Sequence, residues 1–371
     1  MNTSLQCLSN TVPLSDYFLG YDWKSEINKY NILGAGGSLA TAYASLISQL
    51  WSEKNALQSV TPRDFKTTMQ KFAPHFRGYE QHDTQELLSF LLDGLHEDLN
   101  RVTDKKYVED VESDGSGDLD EVAVRAWSGY LERNRSIVVD LFQGQLKNTL
   151  QCKKCSHKCI KFESFMYLTV PIASKCDTVE SCIAEFCKIE TLSGENKWFC
   201  CKCKTHVDAT KKFDVWKLPP VLIIILKRFD FKRRRKIDQF IQTPTVDFDL
   251  SRTVKSVQKD PPIYDLFAVS NHLGGLGGGH YTAYCKNRSS EKWFEFNDER
   301  VSEISEKSVI NNKSSYVLFF NRVVEVEVDL EEETTGVQNR VGRIRRQSVS
   351  MPHLWPHTLS TQPALQQMNV K

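Results

Sequence analysis

The chain has 371 residues, is 40% hydrophobic and 26% charged, and carries a formal net charge of +1. That length suits one large domain or two ordinary ones, and the near-neutral balance gives no push toward nucleic acid or a membrane surface as the main partner. No apolar run approaches the ~18 residues of a membrane span, and the opening Met1-Asn-Thr-Ser-Leu-Gln lacks the basic and apolar regions of a secretory signal.

Up to about Asn134 the pattern is helical. Leu39, Tyr43, Leu46, Ile47 and Leu50 recur as one stripe, which predicts a helix over 39–51. The strongest helical pattern covers 83–100, where Leu87, Leu88, Leu91, Leu92, Leu95 and Leu99 make a broad apolar face. Asp83 followed by Glu86 reads as a variant capping box at its start. The acidic stretch 110–121, bearing Ser and Gly, reads as a surface loop. From Ile137 the pattern turns to strands, expected at 142–150, 165–170, 221–229, 264–270, 281–286, 293–296 and 316–320. The run Val221-Leu-Ile-Ile-Ile-Leu226 suits a strand buried on both faces. Lys232-Arg-Arg-Arg-Lys236 reads as a solvated basic loop. After residue 322 an acidic run, a basic run and a Ser, Pro, Gln and His-rich end follow, and 323–371 is expected to be a disordered tail.

Eleven cysteines are an odd number, and two Cys-x-x-Cys pairs stand out among them. Paired spacing of this kind points to metal in a reducing compartment, the cytosol or nucleus, rather than to disulfides. Cys152-Lys-Lys-Cys155 and Cys200-Cys-Lys-Cys203 each place two thiols on a tight turn. Brought together they give tetrahedral sulfur coordination, which suits structural zinc. Cys159, Cys176, Cys182, Cys187 and Cys201 lack that spacing and read as small core or surface residues.

Gly274-Gly-Leu-Gly-Gly-Gly-His280-Tyr-Thr-Ala-Tyr-Cys delivers a histidine to the start of an alternating strand. A second strand, Trp293-Phe-Glu-Phe, ends at Asn297-Asp298. A hairpin of these two strands brings a carboxamide or a carboxylate beside the imidazole. That is the arrangement of a general base and the group that fixes its tautomer. A lone histidine in a glycine-rich hairpin is more often structural. Here the aromatic frame of Tyr281, Tyr284, Trp293, Phe294 and Phe296 favours the catalytic reading. His82, His96, His206 and His272 lack that frame and read as solvated or helix-surface residues.

These motifs, with Gly78-Tyr-Glu-Gln-His-Asp83-Thr-Gln-Glu86-Leu and Leu226-Lys-Arg-Phe229, resemble the ubiquitin-specific protease family in long segments and in the family's order over about residues 1–322. The resemblance implies an α+β, papain-like hand forming one catalytic domain over 1–322. The thumb would occupy about 1–136, zinc-ribbon fingers about 143–220, and the palm mainly 221–322. It implies a cysteine-type deubiquitinase that hydrolyses the isopeptide or peptide bond after the Gly-Gly terminus of ubiquitin. Its partners would be ubiquitin and ubiquitinated proteins, with no membrane and no nucleic acid. By the same likeness His280 is the base and Asn297 its orienter, with Asp298 the adjacent alternative. Asp83, Gln85 and Glu86 are the contacts for the ubiquitin tail, Cys152, Cys155, Cys200 and Cys203 hold the zinc, and 271–279 forms a mobile loop over the channel.

The family's cysteine box reads Gly-x-Asn-Thr-Cys-Phe-Met-Asn-Ser-x-Leu-Gln, whereas this chain opens at Met1-Asn2-Thr3-Ser4-Leu5-Gln6. Aligning the Met-Asn pair places the nucleophile two residues before Met1, as in a chain truncated at its N-terminus. Cys7 sits inside the helix that cysteine would start, more than ~10 Å along it, and reads as a core residue. The alternative is a catalytically inactive ubiquitin-binding protein.

Overall fold

The computed structural model describes residues 1–52, 59–78, 81–258, 260–331 and 340–348. Seven helices come first: α1 (Asn2–Ser9), α2 (Val12–Gly20), α3 (Ser38–Leu50), α4 (Arg63–Phe72), α5 (Thr84–Asp98), α6 (Leu119–Leu131) and α7 (Ile137–Phe142), with the short strand β1 (Glu112–Ser113) before α6. Then follow β2 (Gly144–Cys152), β3 (Lys158–Phe165), β4 (Leu168–Pro171), α8 (Val179–Phe186), β5 (Glu190–Leu192), β6 (Trp198–Cys200), β7 (Thr205–Val207) and β8 (Ala209–Lys217). The last part holds β9 (Val221–Lys227), β10 (Phe229–Asp230), β11 (Arg235–Lys236), β12 (Phe248–Asp249), β13 (Ile263–Gly275), β14 (Gly278–Lys286), β15 (Trp293–Asn297) and β16 (Arg300–Ile304). It closes with α9 (Glu306–Ile310), β17 (Ser315–Glu331) and β18 (Arg340–Ser348).

Two sheets organise these elements. The palm sheet runs β16-β15-β14-β13-β17-β9-β4, with β12 on β13 and β18 on β17. The second sheet, β1-β3-β2-β8-β5, projects as fingers, and the small ribbon β6-β7 lies beside it. The helices α1–α5 and α7 form the thumb against one face of the palm.

The burial of β9 explains its continuous apolar run. Val221, Ile223 and Ile225 join the core shared with the thumb helices, whereas Leu222, Ile224 and Leu226 join the core on the opposite face, with α8 and β4. Both faces of a pleated strand are therefore covered, and each such side chain contributes roughly 1.5–3 kcal/mol. Its neighbour β17 repeats this, with Val317 and Phe319 on one side and Leu318 and Phe320 on the other.

In the thumb, α5 begins at Asp83, whose Oδ1 accepts from the Gln85 amide at 2.8 Å. The expected capping box does not form: Asp83 caps the second amide of the helix rather than that of Glu86, and the Glu86 carboxylate lies 3.6 Å from His75. At the other end Asp98, fully buried, accepts from the amides of Ala35 (2.6 Å), Leu39 (3.0 Å) and Ala40 (3.1 Å). It thus satisfies the free N–H groups at the start of α3 from a neighbouring helix. Asp98→Ala would leave these donors without an acceptor. The expected loss is about 3 kcal/mol or more, read as a lower urea midpoint at unchanged slope.

Several expectations need correction. The stretch 110–121 is a loop only in part: Glu112–Ser113 pairs with β3, and Asp118 caps α6 by accepting from the Asp120 amide. Residues 168–171, expected among the fingers, lie in the palm as β4, the parallel partner of β9, because Leu168 and Val170 bury against the second core. The tail does not turn disordered at 323. There β17 continues to Glu331 and pairs with β18, from Val323↔Ser348 to Glu331↔Arg340. The alternation Val324, Val326, Val328, Leu330 with charged residues between them carries a strand period, and the second strand supplies its backbone partners. The rest of the expected tail, 332–339 and 349–371, lies outside the described residues.

Candidate active site and metal centre

The palm hairpin β13–β14 is tighter than a loop. Gly274 faces Gly279 and Gly275 faces Gly278 in register, so only Leu276 and Gly277 turn. The segment 271–279, expected as a mobile loop, is therefore largely a paired hairpin. Gly279 requires its lack of a side chain, since a Cβ there would stand 2.3 Å from His272 Nε2 and 2.4 Å from the Leu273 carbonyl. This close packing fixes the backbone immediately before His280.

His280 faces the end of β15. Its Nε2 lies 2.7 Å from Asn297 Oδ1 and 3.9 Å from the Asp298 carboxylate. With the proton on Nε2 the first contact is an N–H···O hydrogen bond, and Nδ1 keeps the lone pair a base needs. Asp298 sits in the left-handed region at φ 50°, in the two-residue turn between β15 and β16. Its carbonyl accepts from Asn2 Nδ2 at 3.2 Å, which ties the head of α1 to this turn.

His280 and Asn297 line a cavity of about 710 Å³ between thumb and palm, with Met1, Asn2, Thr3, Gln81, Asp83, Gly279 and Asp298 among its other walls. Both predicted partners of the histidine are thus in place, and Asn297 is the nearer. Among the described residues lining this cleft none is a cysteine. Cys7 lies elsewhere, fully buried in the core, with the Cys285 thiol of β14 beside it.

Of the three residues expected at the ubiquitin tail, Asp83 reaches the cleft wall. Burial pushes its carboxyl up, against the Gln85 amide and the Tyr316 hydroxyl, which pull it down. Tyr316 donates to Asp83 Oδ2 at 2.9 Å and stands 3.3 Å from Gln85 Oε1, linking palm to thumb. Gln85 and Glu86 follow on α5 but do not line the cavity. One wall residue had no sequence signal of its own: Gln81 Oε1 accepts from the Gly279 amide at 2.9 Å and bridges thumb and palm across the cleft. A neutral carboxamide has no charge or spacing signature, although it stands inside the Gly78–Leu87 motif.

Three histidines read as solvated or helix-surface residues are not. His96 is buried, with Nδ1 2.8 Å from Ser136 Oγ and Nε2 3.2 Å from Asn134 Oδ1. His82 packs edge-on against Phe76, its Nε2 buried. His272 is buried between Phe229 and Tyr281, and burial, with Lys236 nearby, pushes its imidazole down to about 4. His96 and His272 are covered by residues distant in sequence, whereas half-buried His82 is covered by Phe76, six positions before it. His206 remains exposed on the β6–β7 ribbon.

At the fingers the two Cys-x-x-Cys turns meet. The thiols of Cys152, Cys155, Cys200 and Cys203 all lie within 4.8 Å of one another and could hold a metal ion. Cys152 and Cys203 are 3.9 Å apart, Cys155 and Cys200 3.7 Å. A tetrahedron with metal–sulfur bonds of about 2.3 Å has edges of about 3.8 Å, so the spacing fits zinc. The turns match each other. Amides of Lys154 and Cys155 point at Cys152 Sγ, the Cys203 amide points at Cys200 Sγ, and Ser156 and Lys204 close the turns at φ 58° and 56°. Among the described residues no helix is long and apolar enough to cross a membrane.

Comparison with known proteins gives a consistent answer. A family model described as "Ubiquitin carboxyl-terminal hydrolase" matches residues 1–320. The chain is 39% identical over 325 residues to "Ubiquitin carboxyl-terminal hydrolase 2" of Homo sapiens, covering 86% of this chain and 53% of that protein. It is 42% identical over 288 residues to the Gallus gallus protein of the same name, covering 76% of this chain and 80% of that one. The chain thus spans about half the length of several curated relatives it matches. Among solved structures, a SAGA DUB module of Ubp8, Sgf11, Sus1 and Sgf73 bound to monoubiquitin aligns with a TM-score of 0.66 at 25% identity, over 87% of this chain and 66% of that one. The same module bound to ubiquitin aldehyde gives 0.65 at 24% identity, a likeness of fold.

Proposed function

Because the chain belongs to the ubiquitin carboxyl-terminal hydrolase family, we propose that its thumb–palm cleft takes the Gly-Gly terminus of ubiquitin for cysteine-dependent hydrolysis of the bond that follows. The carrying observation is the His280–Asn297 pair at 2.7 Å in a cleft that also holds the head of α1. In this reading His280 takes the proton of a thiol and returns it to the leaving amine, while Asn297 holds the imidazole in one tautomer. Asp83, on the cleft wall, offers a basic ubiquitin tail a carboxylate partner, while Gln85 and Glu86 lie outside the cavity. Zinc on the four cysteines would tie the tips of two distant finger hairpins together.

By the family's cysteine box the thiol is expected two residues ahead of Met1, the N-cap of α1, and so close to that helix end. Positive partial charge at that helix end favours thiolate. A second reading for these 371 residues alone is that they bind ubiquitin and do not cleave it, since among the described residues the cleft offers the His280–Asn297 pair and Asp83. One experiment tests both. The 371-residue chain is titrated with ubiquitin, and it is treated alongside a version preceded by the family's cysteine box with a ubiquitin probe bearing a C-terminal electrophile. Saturable binding by both and labelling of the extended chain alone is expected. No binding by either version would sink both readings.

A further inference from the structure

The geometry points to Lys236 as a positioning residue that holds the His280 hairpin in place of a missing neighbour strand. At Asn271 the strand β13 still pairs with Ser315 of β17, and the His272 amide donates to the Ser314 carbonyl. Beyond this point β17 has no residues to offer, yet β13 continues to Gly275. In an extended strand the carbonyls of residues two apart point the same way, so those of His272 and Gly274 face the side β17 has left. The His272 carbonyl belongs to a buried residue and needs a donor, whereas that of Gly274 is exposed.

Lys236 supplies it. The Nζ donates to the His272 carbonyl at 2.7 Å and the Gly274 carbonyl at 3.1 Å, with Asp238 3.6 Å away. Its side chain is 8% exposed, unlike Lys232, Arg233, Arg234 and Arg235, which are all exposed on the same hairpin. An ammonium has three donors and no acceptor, and here two are spent on the strand edge.

The base of this clamp is itself anchored. Arg228 is fully buried. It donates from Nη1 to the carbonyls of Ile237 and Gln239, each at 2.9 Å, and from Nε to the Ser315 carbonyl at 2.6 Å. The Ile237 amide returns a bond to the Arg228 carbonyl at 2.7 Å. The segment carrying Lys236 is therefore bolted to β17, and Lys236 reaches from it to the free edge of β13. Across the hairpin Gly274 faces Gly279 and Leu273 faces His280, so the edge that Lys236 holds lies one strand from the imidazole. The significance of this for catalysis rests on His280 being the base, but the clamp does not.

The test uses the full chain and four variants: Lys236→Met, Lys236→Arg, Lys236→Gln and, as a control on the same hairpin, Lys232→Met. Hydrogen exchange over residues 272–281 should quicken at least about 10-fold in K236M, with exchange in β9 and α5 unchanged. K236R should restore protection and K232M should match the original. The His280 imidazole resonances should shift or broaden in K236M and return in K236R, and ubiquitin affinity should fall in K236M and K236Q but not in K236R or K232M. Exchange in K236M equal to the original, or loosening spread over the whole palm, would overturn the proposal. Should K236M not fold, K236Q must show the local signature, and its absence counts equally against the clamp. If the unaltered chain does not bind ubiquitin, the functional reading fails while the exchange result still decides the clamp.

Discussion

In a version of the chain carrying the family's cysteine two residues ahead of Met1, His280→Ala is expected to lower kcat for a ubiquitin C-terminal amide by about 10³ or more, with ubiquitin affinity within about twofold. A general base acts mainly in the transition state, so its loss should appear in kcat rather than in binding. The half-exposed ring makes few contacts that a bound tail would need. The graded part of the prediction concerns its two neighbours. Asn297 stands 2.7 Å from Nε2 and Asp298 3.9 Å, beyond hydrogen-bond reach. Asn297→Ala should therefore cost about 10- to 100-fold in kcat through a freed ring and mixed tautomers, and Asp298→Ala clearly less. A larger loss from Asp298→Ala would show that the carboxylate, brought in by a small rotation of the turn, is the true orienter.

The second large effect is expected at the fingers. The purified chain should carry one zinc per molecule, and Cys200→Ser or a strong chelator should remove it. Structural zinc sites hold on the order of 10–16 kcal/mol of apparent binding free energy at pH 7, so with zinc bound a part of the fold would depend on it. That part is confined by the structure. The small cluster of Cys152, Cys200 and Val207, with Trp198 packed against it, is separate from the two large cores. Without metal, four thiols and a three-residue ribbon cannot bury enough apolar surface to stay folded. Exchange should rise at β6 and β7 and the ends of β2 and β8, while α5, β9 and β13 keep their protection. Chelation that leaves the fingers protected, or zinc well below one equivalent, would refute the site.

Much of this was legible because local pattern and tertiary demand agree. The leucines of α5 and the double-faced run of β9 announce their burial, since helix and strand periods translate directly into faces. The paired cysteines were legible because a two-residue gap fixes two thiols on one turn. His280 and Asn297 could be paired because a single hairpin joins them. The failures share a cause. Glu112–Ser113 and Leu168–Pro171 are strands by virtue of edges made elsewhere in the chain. Nothing within Glu112–Ser113 distinguishes it from loop, and nothing within Leu168–Pro171, legible as a strand, says which sheet it joins.

By itself the sequence determined the family, the α+β hand, the four metal-type cysteines, and the histidine with a carboxamide and a carboxylate as its candidate partners. Each is written in residues that are neighbours along the chain or recur with a backbone period. The tertiary structure decided the rest: that Asn297 rather than Asp298 meets the ring, that Asp83 reaches the cleft while Glu86 turns to His75, that Gln81 bridges to Gly279, and that Lys236 holds the edge β17 leaves open. These contacts join groups far apart in sequence through distances of a few ångströms. Hydrogen bonds weaken steeply over such distances, so only the packed fold sets which of them form.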